Sequence, residues 1–177
     1  MFAVLALASG LVLAAVWGLA AGSSSLELAL ADLYKVPMVI LLSAITALPA
    51  GLVTLRLTNA KLRGSELAGA FATSIFGGTL VLATLAPLVA IYYHTSAKAG
   101  VPLALGSVFV ALATASLLFA RAVSRRIAGQ PRAASLLAVV ILVVLFLAAL
   151  LQFVALASPI IGVHGTVLEN GFDGFRL

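Results

Sequence analysis

Charge is the property that this sequence has least of. Only 8% of its 177 residues are charged, whereas 64% are hydrophobic; a soluble domain has about a quarter of its residues charged. A chain of this composition cannot cover its own surface in water. Several apolar runs of about 20 residues are each long enough to cross about 30 Å of hydrocarbon. The composition therefore predicts an all-α fold, a polytopic bundle of membrane helices.

Cysteine is absent altogether. Its absence excludes disulfides, thiolate metal sites, iron–sulfur clusters and cysteine nucleophiles. The sequence also has no GxSxG, HExxH or phosphate-binding glycine loop. Catalysis by acids and bases needs positioned titratable groups, and we expect every carboxylate in a loop, in the tail or at the end of a span. These carboxylates are Glu27, Asp32, Glu66, Glu169 and Asp173. We expect no enzyme and no cofactor.

Two histidines are the only candidate metal ligands besides the carboxylates. His94 and His164 fall on the same predicted side of the membrane as Glu169 and Asp173, and histidines with carboxylates can bind zinc. The two histidines lack the i, i+4 spacing of a helical zinc motif, and His beside a headgroup layer is ordinary. We therefore predict no metal site.

Five apolar segments are predicted to span the membrane, at about 2–22, 36–57, 66–93, 101–123 and 134–163. A short tail, 164–177, follows them, and the whole chain forms one transmembrane domain. The first segment lacks a basic flank and is longer than the apolar part of a usual signal peptide, so we expect it to be retained.

Basic residues orient the five spans. Two junctions, between spans two and three and between spans four and five, share one side and hold seven of the ten cations. The seven are Arg56, Lys61, Arg63, Arg121, Arg125, Arg126 and Arg132. The positive-inside rule places them in the cytoplasm. We therefore expect a protein of the cytoplasmic (inner) membrane, with a cytoplasmic N-terminus and the C-terminus on the outer side. Anionic lipid headgroups, rather than nucleic acid, are the expected partners of this charge.

The first outer loop, SSSLELALADLYK, has the sequence pattern of a helix. Ser24 and Glu27 have the spacing of a capping box, and Leu26, Leu30 and Leu33 fall on one helical face. This pattern predicts a short helix lying in the membrane interface; the alternative is a simple linker.

Prolines interrupt two of the spans. Pro37 is expected in the first turn of span two, where its missing N–H costs nothing. Pro49 and Pro87 fall inside spans two and three, where each removes a backbone hydrogen bond and is predicted to kink the helix. Broken helices can form a transporter site, and kinks can also simply improve packing. Since we expect no ionisable residue in mid-membrane, we favour packing.

Small residues recur every four positions in two spans. Span one carries Gly10, Ala14, Gly18 and Gly22, and span three carries Gly69, Thr73 and Gly77. Such stripes let helix backbones approach closely in lipid. Each stripe has three possible partners: a neighbouring span, a second copy of the chain, or another protein. Gln152, the most polar side chain of span five, is expected to hydrogen-bond another helix.

Several short motifs resemble one known family. They are WGLAAGSSS, LADLYKVP, LPAG, LAPLVAIYY and FVALASPIIG, and in this order they resemble bacterial five-span membrane proteins of the Yip family. Asp32-Leu33-Tyr34…Pro37 is similar to the DLYGP signature of eukaryotic members, with Lys35 and Val36 in place of the glycine. The resemblance implies a non-enzymatic protein that binds other membrane proteins. Eukaryotic members bind prenylated GTPases through a cytosolic N-terminal part, which we do not expect where the first span begins at residue 2.

These observations favour an interaction protein. The first hypothesis is an accessory or scaffold subunit of a membrane complex, or a homo-oligomer, that docks through its small-residue stripes. The alternative is a small transporter or lipid-handling protein with a site at Pro49 and Pro87. A third hypothesis is membrane remodelling by the interfacial helix.

Overall fold

The structure, a computed structural model, describes residues 2–57, 62–126, 132–157 and 160. Five α-helices make up nearly all of this part of the chain: α1 (Phe2–Ala21), α2 (Leu26–Leu57), α3 (Gly64–Thr95), α4 (Ala97–Arg126) and α5 (Arg132–Ala157). The described ranges contain no strand. All five helices are long and apolar enough to cross a membrane. The predicted all-α bundle of five membrane helices is confirmed.

The second helix begins well before its predicted start. It runs from Leu26, not from residue 36, so the predicted interfacial helix and span two are one continuous element. Near the start of α2 the backbone N–H of Leu28 donates to Ser25 Oγ at 3.2 Å. The N-cap residue is therefore Ser25 and not Ser24. The placement of Pro37 in a first turn is wrong, because this proline lies in the interior of α2.

The third and fourth helices are almost directly joined. At the start of α3 the backbone N–H of Arg63 donates to Glu66 Oε2 at 2.9 Å, which satisfies a donor that the helix cannot use. At its end the N–H of Ser96 donates to Tyr92 O at 2.9 Å. Because Ser96 alone separates the two helices, α3 and α4 must run antiparallel and side by side.

Pro49 and Pro87 lie within unbroken helices. The helix α2 continues through Pro49, and α3 continues through Pro87. In a membrane helix a nearby hydroxyl can bond the carbonyl that a proline leaves without a donor. Ser43 instead donates to Val39 O at 2.6 Å and Thr84 to Val81 O at 2.8 Å, so each bonds the preceding turn of its own helix.

The helices are arranged as an incomplete ring. The first helix packs against both α2 and α3, α3 packs extensively against α4, and α2 packs against α5. The contacts between α4 and α5 and between α2 and α3 are few. The order around the ring is therefore α5, α2, α1, α3, α4, and the seam between α4 and α5 closes it only loosely.

The hydrophobic core has two parts, one towards each end of the bundle. The part near the start of α2 includes Ala14, Trp17, Val36, Val89 and Ala104. The other part includes Leu67, Phe71, Phe119, Val123 and Leu142. We call the first end the Lys35 end. The opposite end carries Arg56, Arg63, Arg121, Arg125 and Arg126, and we call it the arginine end.

Candidate functional site

A cavity of about 350 Å³ lies inside the ring of helices. All five helices or the residues next to them contribute to its wall, which includes Trp17, Val36, Leu82, Leu105, Phe119 and Leu150. Ligand sites of drug-sized molecules typically enclose about 300–1,000 Å³. The cavity is therefore large enough for a ligand.

The cavity is long and apolar. On α3 its wall extends from Phe71 to Leu82 and on α5 from Val143 to Val154, which is about 16 Å along each helix at 1.5 Å per residue. On α4 it extends from Val101 to Phe119, which is about 27 Å. Half of a 30 Å hydrocarbon core, the depth of one leaflet, is about 15 Å. The cavity is therefore long enough for the acyl chain of one leaflet.

Two of the three hydroxyl side chains in the wall, Ser74 and Thr79 but not Ser116, hydrogen-bond to the backbone of their own helix. Ser74 Oγ donates to Ala70 O at 2.7 Å, and Thr79 Oγ1 donates to Ile75 O at 2.9 Å. Both bonds lie within α3, as is usual for hydroxyls in membrane helices. Since their protons are engaged, these side chains add little polarity to a wall made mainly of Val, Leu, Ile, Ala and Phe.

Three phenylalanines close the cavity at the arginine end. The ring centroid of Phe71 lies 4.6 Å from that of Phe119 and 5.5 Å from that of Phe146. These tilted and edge-on arrangements are the favourable ones for aromatic pairs. Because the three rings come from α3, α4 and α5, they tie three helices together where the cavity ends.

A buried hydrogen bond joins α1 to α4 beside the cavity. The indole N–H of Trp17 donates to Ser107 Oγ at 3.0 Å, and this hydroxyl donates in turn to Ala104 O at 2.6 Å. The bond joins α1 to α4 across 90 residues of sequence and is buried. A buried indole N–H usually finds a partner, and here the partner also determines how α1 sits over the cavity.

A charged layer lies beyond this hydrogen bond. Asp32 is 0% exposed and Lys35 is 2% exposed, and both share the buried face of α2 with Val36 and Val39, which line the cavity. Asp32 also acts electrostatically on Tyr93 of α3. The expectation that every carboxylate lies in a loop, in the tail or at the end of a span is wrong for Asp32. The reason is that α2 starts early, and α1 and α3 cover its first turns.

The small-residue stripe of α1 packs within the chain. A Cβ on Gly10 would lie 3.3 Å from Phe76 Cα of α3, one on Gly18 would overlap the carbonyl oxygen of Asp32, and one on Gly22 would lie 2.7 Å from Ala29 Cα. Ala14 is fully buried. The stripe therefore lets α2 and α3 approach α1 closely, and its members are not available to a second chain.

The small-residue stripe of α3 is divided. A Cβ on Gly77 would overlap Leu118 of α4, whereas one on Gly69 would meet nothing within 4 Å. Thr73 borders a recess of about 230 Å³ that Leu118, Arg121, Ala122 and Arg125 complete. Thr73 thus borders a surface recess between α3 and α4, and Gly69 faces open space one turn earlier.

A neighbouring glycine, missed in the sequence, makes the close α3–α4 contact. A Cβ on Gly78 would lie 3.0 Å from Ala115 Cβ and 3.1 Å from the carbonyl oxygen of Ala111. The signal was present as Ala70, Ser74 and Gly78, three small residues at the same four-residue spacing and one position along from the predicted stripe. All three are buried.

The two prolines lie away from the cavity. Pro49 and Pro87 are both exposed on the outside of the bundle, and neither belongs to the cavity wall. Gln152 is also exposed, so it lies on the surface of α5 and not against another helix of this chain. The cavity is therefore not the site that the prolines suggested.

Five arginines lie together at the arginine end of the bundle. Arg56, Arg63, Arg121, Arg125 and Arg126 are all exposed, and Arg126 Nη1 donates to the carbonyl oxygen of Glu66 at 3.2 Å. Lys61 lies outside the described residues, as do the side chain of Arg132 and residues 161–177 with His164, Glu169 and Asp173. Exposed guanidinium groups at helix ends are well placed for lipid headgroups.

The five apolar helices identify the chain as an integral membrane protein. The chain matches no family model, no curated protein and no solved structure. The resemblance to the Yip family therefore stays a prediction, and the cavity is the structural feature that bears on function.

Proposed function

We propose that this protein is a lipid-handling membrane protein that holds one acyl chain of a membrane lipid in its internal cavity. The single observation that carries the proposal is the cavity itself, which is apolar, about 350 Å³ in volume and long enough for an acyl chain of one leaflet. It lies between helices that cross the membrane, so the molecules around the bundle are lipids. An acyl chain has the polarity of the wall, fits within its length and is supplied by the surrounding membrane.

The energetics favour an occupant. Wall atoms that face unfilled space have no partner atoms on that side and lose their dispersion contacts. A chain that fills the cavity restores the dispersion contacts that the wall would otherwise lack.

The same wall supports binding without catalysis. No ionisable side chain lines the cavity among the residues that the structure describes, and covalent or acid–base chemistry requires such groups at the reacting atom. We therefore propose a non-enzymatic role, in which the protein binds or moves a lipid without changing it.

The only tryptophan of the chain provides the test. Trp17 lines the cavity and is 3% exposed, so its fluorescence reports on what occupies the cavity. In vesicles of lipids with brominated acyl chains we expect strong quenching. Val108→Phe, which adds bulk to the wall, should reduce it. Val110→Phe, on the exposed face of α4, should not.

Two results would refute the proposal. One is a Trp17 emission that brominated chains leave unquenched in the native protein. The other is equal quenching in Val108→Phe and Val110→Phe, since bromine atoms would then act from the outer surface and not from the cavity.

A second candidate function is docking of another membrane helix, from a partner subunit or a second copy. Two observations favour it: Thr73 borders a surface recess between α3 and α4, and a Cβ on Gly69, one turn earlier on α3, would meet nothing within 4 Å. Gly69→Leu should abolish co-purification of a partner from native membranes in mild detergent. Gly106→Leu, at a glycine that is equally unhindered, should leave it intact. Equal recovery from both variants argues against docking there.

We also propose that the arginine end faces the cytoplasm of a cytoplasmic membrane, where it meets anionic lipid headgroups. The support is that five of the seven predicted residues share one end of the bundle. The chain has no native cysteine, so single cysteines can be labelled cleanly. In intact cells an impermeant maleimide should label Thr95→Cys and not Ser65→Cys; the reverse pattern would invert the orientation.

A further inference from the structure

We infer that the cavity is loaded sideways from the bilayer, through an opening between α4 and α5 whose edge is Leu105. The inference rests on the proposed function, and it adds the route and the source of the ligand. The ligand is an amphiphile already dissolved in the membrane, which inserts a chain while its head stays outside the bundle. The argument comes from how each boundary of the cavity is closed.

Both ends along the bundle are closed. At the arginine end Phe71, Phe119 and Phe146 meet across three helices. At the other end lie Asp32 and Lys35, both buried and on the same face of α2 as the wall residue Val36. An apolar chain that entered from water at this end would have to displace buried charged groups, which is unfavourable.

Most of the sides are closed as well. The sparse seam between α2 and α3 is covered by α1, which packs against both of them. The pairs α3–α4 and α2–α5 are in direct contact. The seam between α4 and α5 has few contacts, and none of the other described helices lies over it. Lipid is therefore the neighbour of the cavity at this seam.

One side chain marks the opening. Leu105 belongs to the cavity wall and is nevertheless 45% exposed, whereas its neighbours Ala104 and Ser107 are buried. No other large side chain that lines the cavity in the described part of the chain is as exposed. A residue that faces both the cavity and the outside lies at the boundary between them.

The position of Leu105 also indicates the leaflet. It lies eight residues after Ala97, the first residue of α4, or about 12 Å along the helix. This depth belongs to the hydrocarbon of the leaflet at the Lys35 end. A lipid of that leaflet brings its chain to the opening without leaving the membrane.

A reversible plug tests the route. In a Leu105→Cys protein, a bulky methanethiosulfonate reagent adds to the only cysteine in detergent, and reductant later removes it. After reconstitution, cyclodextrin delivers lipids with brominated chains, and the rise of Trp17 quenching measures entry. We expect the adduct to slow entry by about tenfold or more and reductant to restore it. The same adduct on Val110→Cys, an exposed residue of α4 outside the wall, should leave the rate unchanged.

The outcomes separate the two proposals. Quenching that develops equally fast with and without the Leu105→Cys adduct overturns the sideways route and leaves the acyl-chain cavity standing. Quenching that never develops in the unmodified protein overturns the cavity function itself. Slowing by the Val110→Cys adduct to the same extent would show a general effect on α4 and would also overturn the route.

Discussion

Gly18→Ala is expected to weaken the contact between α1 and α2 through the addition of a single methyl group. At this position an ideal Cβ would overlap the carbonyl oxygen of Asp32 and lie 2.9 Å from its carbonyl carbon. Both atoms belong to the backbone of α2, so no side-chain rotation can relieve the overlap. The two helices must therefore move apart, and the seal at the Lys35 end must loosen.

Two opposing effects set the change in the free energy of unfolding of Gly18→Ala. Overpacking of a well-packed contact costs about 1–3 kcal/mol. Replacing glycine by alanine inside a helix contributes about 1 kcal/mol in the opposite direction. A matched variant separates them: Gly106→Ala adds the same methyl group where nothing lies within 4 Å. The difference between the two variants is expected to be about 1–3 kcal/mol, all of it from the contact.

Equilibrium unfolding in mixed micelles measures this difference. Trp17, one residue from the substitution and buried, provides the fluorescence signal, and helical circular dichroism provides an independent one. Gly18→Ala should unfold at a lower mole fraction of denaturing detergent than the native protein, and Gly106→Ala at the same or a higher one. Indistinguishable unfolding free energies for the two variants would refute the close α1–α2 contact.

Three further substitutions test the two ends of the cavity by the same unfolding assay. Ser107→Ala leaves the buried indole of Trp17 without its acceptor, and we expect a loss of about 1–3 kcal/mol; an unchanged emission maximum would contradict this. Phe71→Ala should cost about 3–5 kcal/mol, because it removes the ring shared by both aromatic pairs; a loss near zero would show that the rings do not pack. Lys35→Met should cost about 3–5 kcal/mol, because Asp32 stays buried with one nearby cation fewer. Native stability of Lys35→Met would show that the cation is not needed there.

The start of α2 shows where sequence patterns mislead. The stretch before Pro37 contains Glu27, Asp32 and Lys35, and so many charges predict a loop or an interfacial segment. The structure continues the helix through them because the same face remains buried, from Asp32 through Val39. Only the packing of α1 and α3 over this face makes a charged helical turn part of the bundle.

The stripes show a related limit. Gly10, Gly18 and Gly22 stood out in the sequence, and all three lie at close backbone contacts. Their spacing predicted that one face of α1 allows close approach of another helix. The spacing did not indicate whether that helix belongs to the same chain or to a second copy. In α3 two small-residue stripes overlap, one with Gly77 and one with Gly78. The backbone of α4 lies closest to Gly78.

The sequence by itself determined that the protein lies in a membrane, how many membrane helices it has and that arginines cluster at one end. Hydropathy and charge are summed over a segment, and such sums need no knowledge of its neighbours. The cavity, the side chains around it and the exposed position of Leu105 in its wall were decided only by the tertiary structure. They depend on contacts such as that between Trp17 and Ser107, 90 residues apart, and on which face each helix turns inwards. A helix that is apolar on all sides carries no periodic signal of that choice.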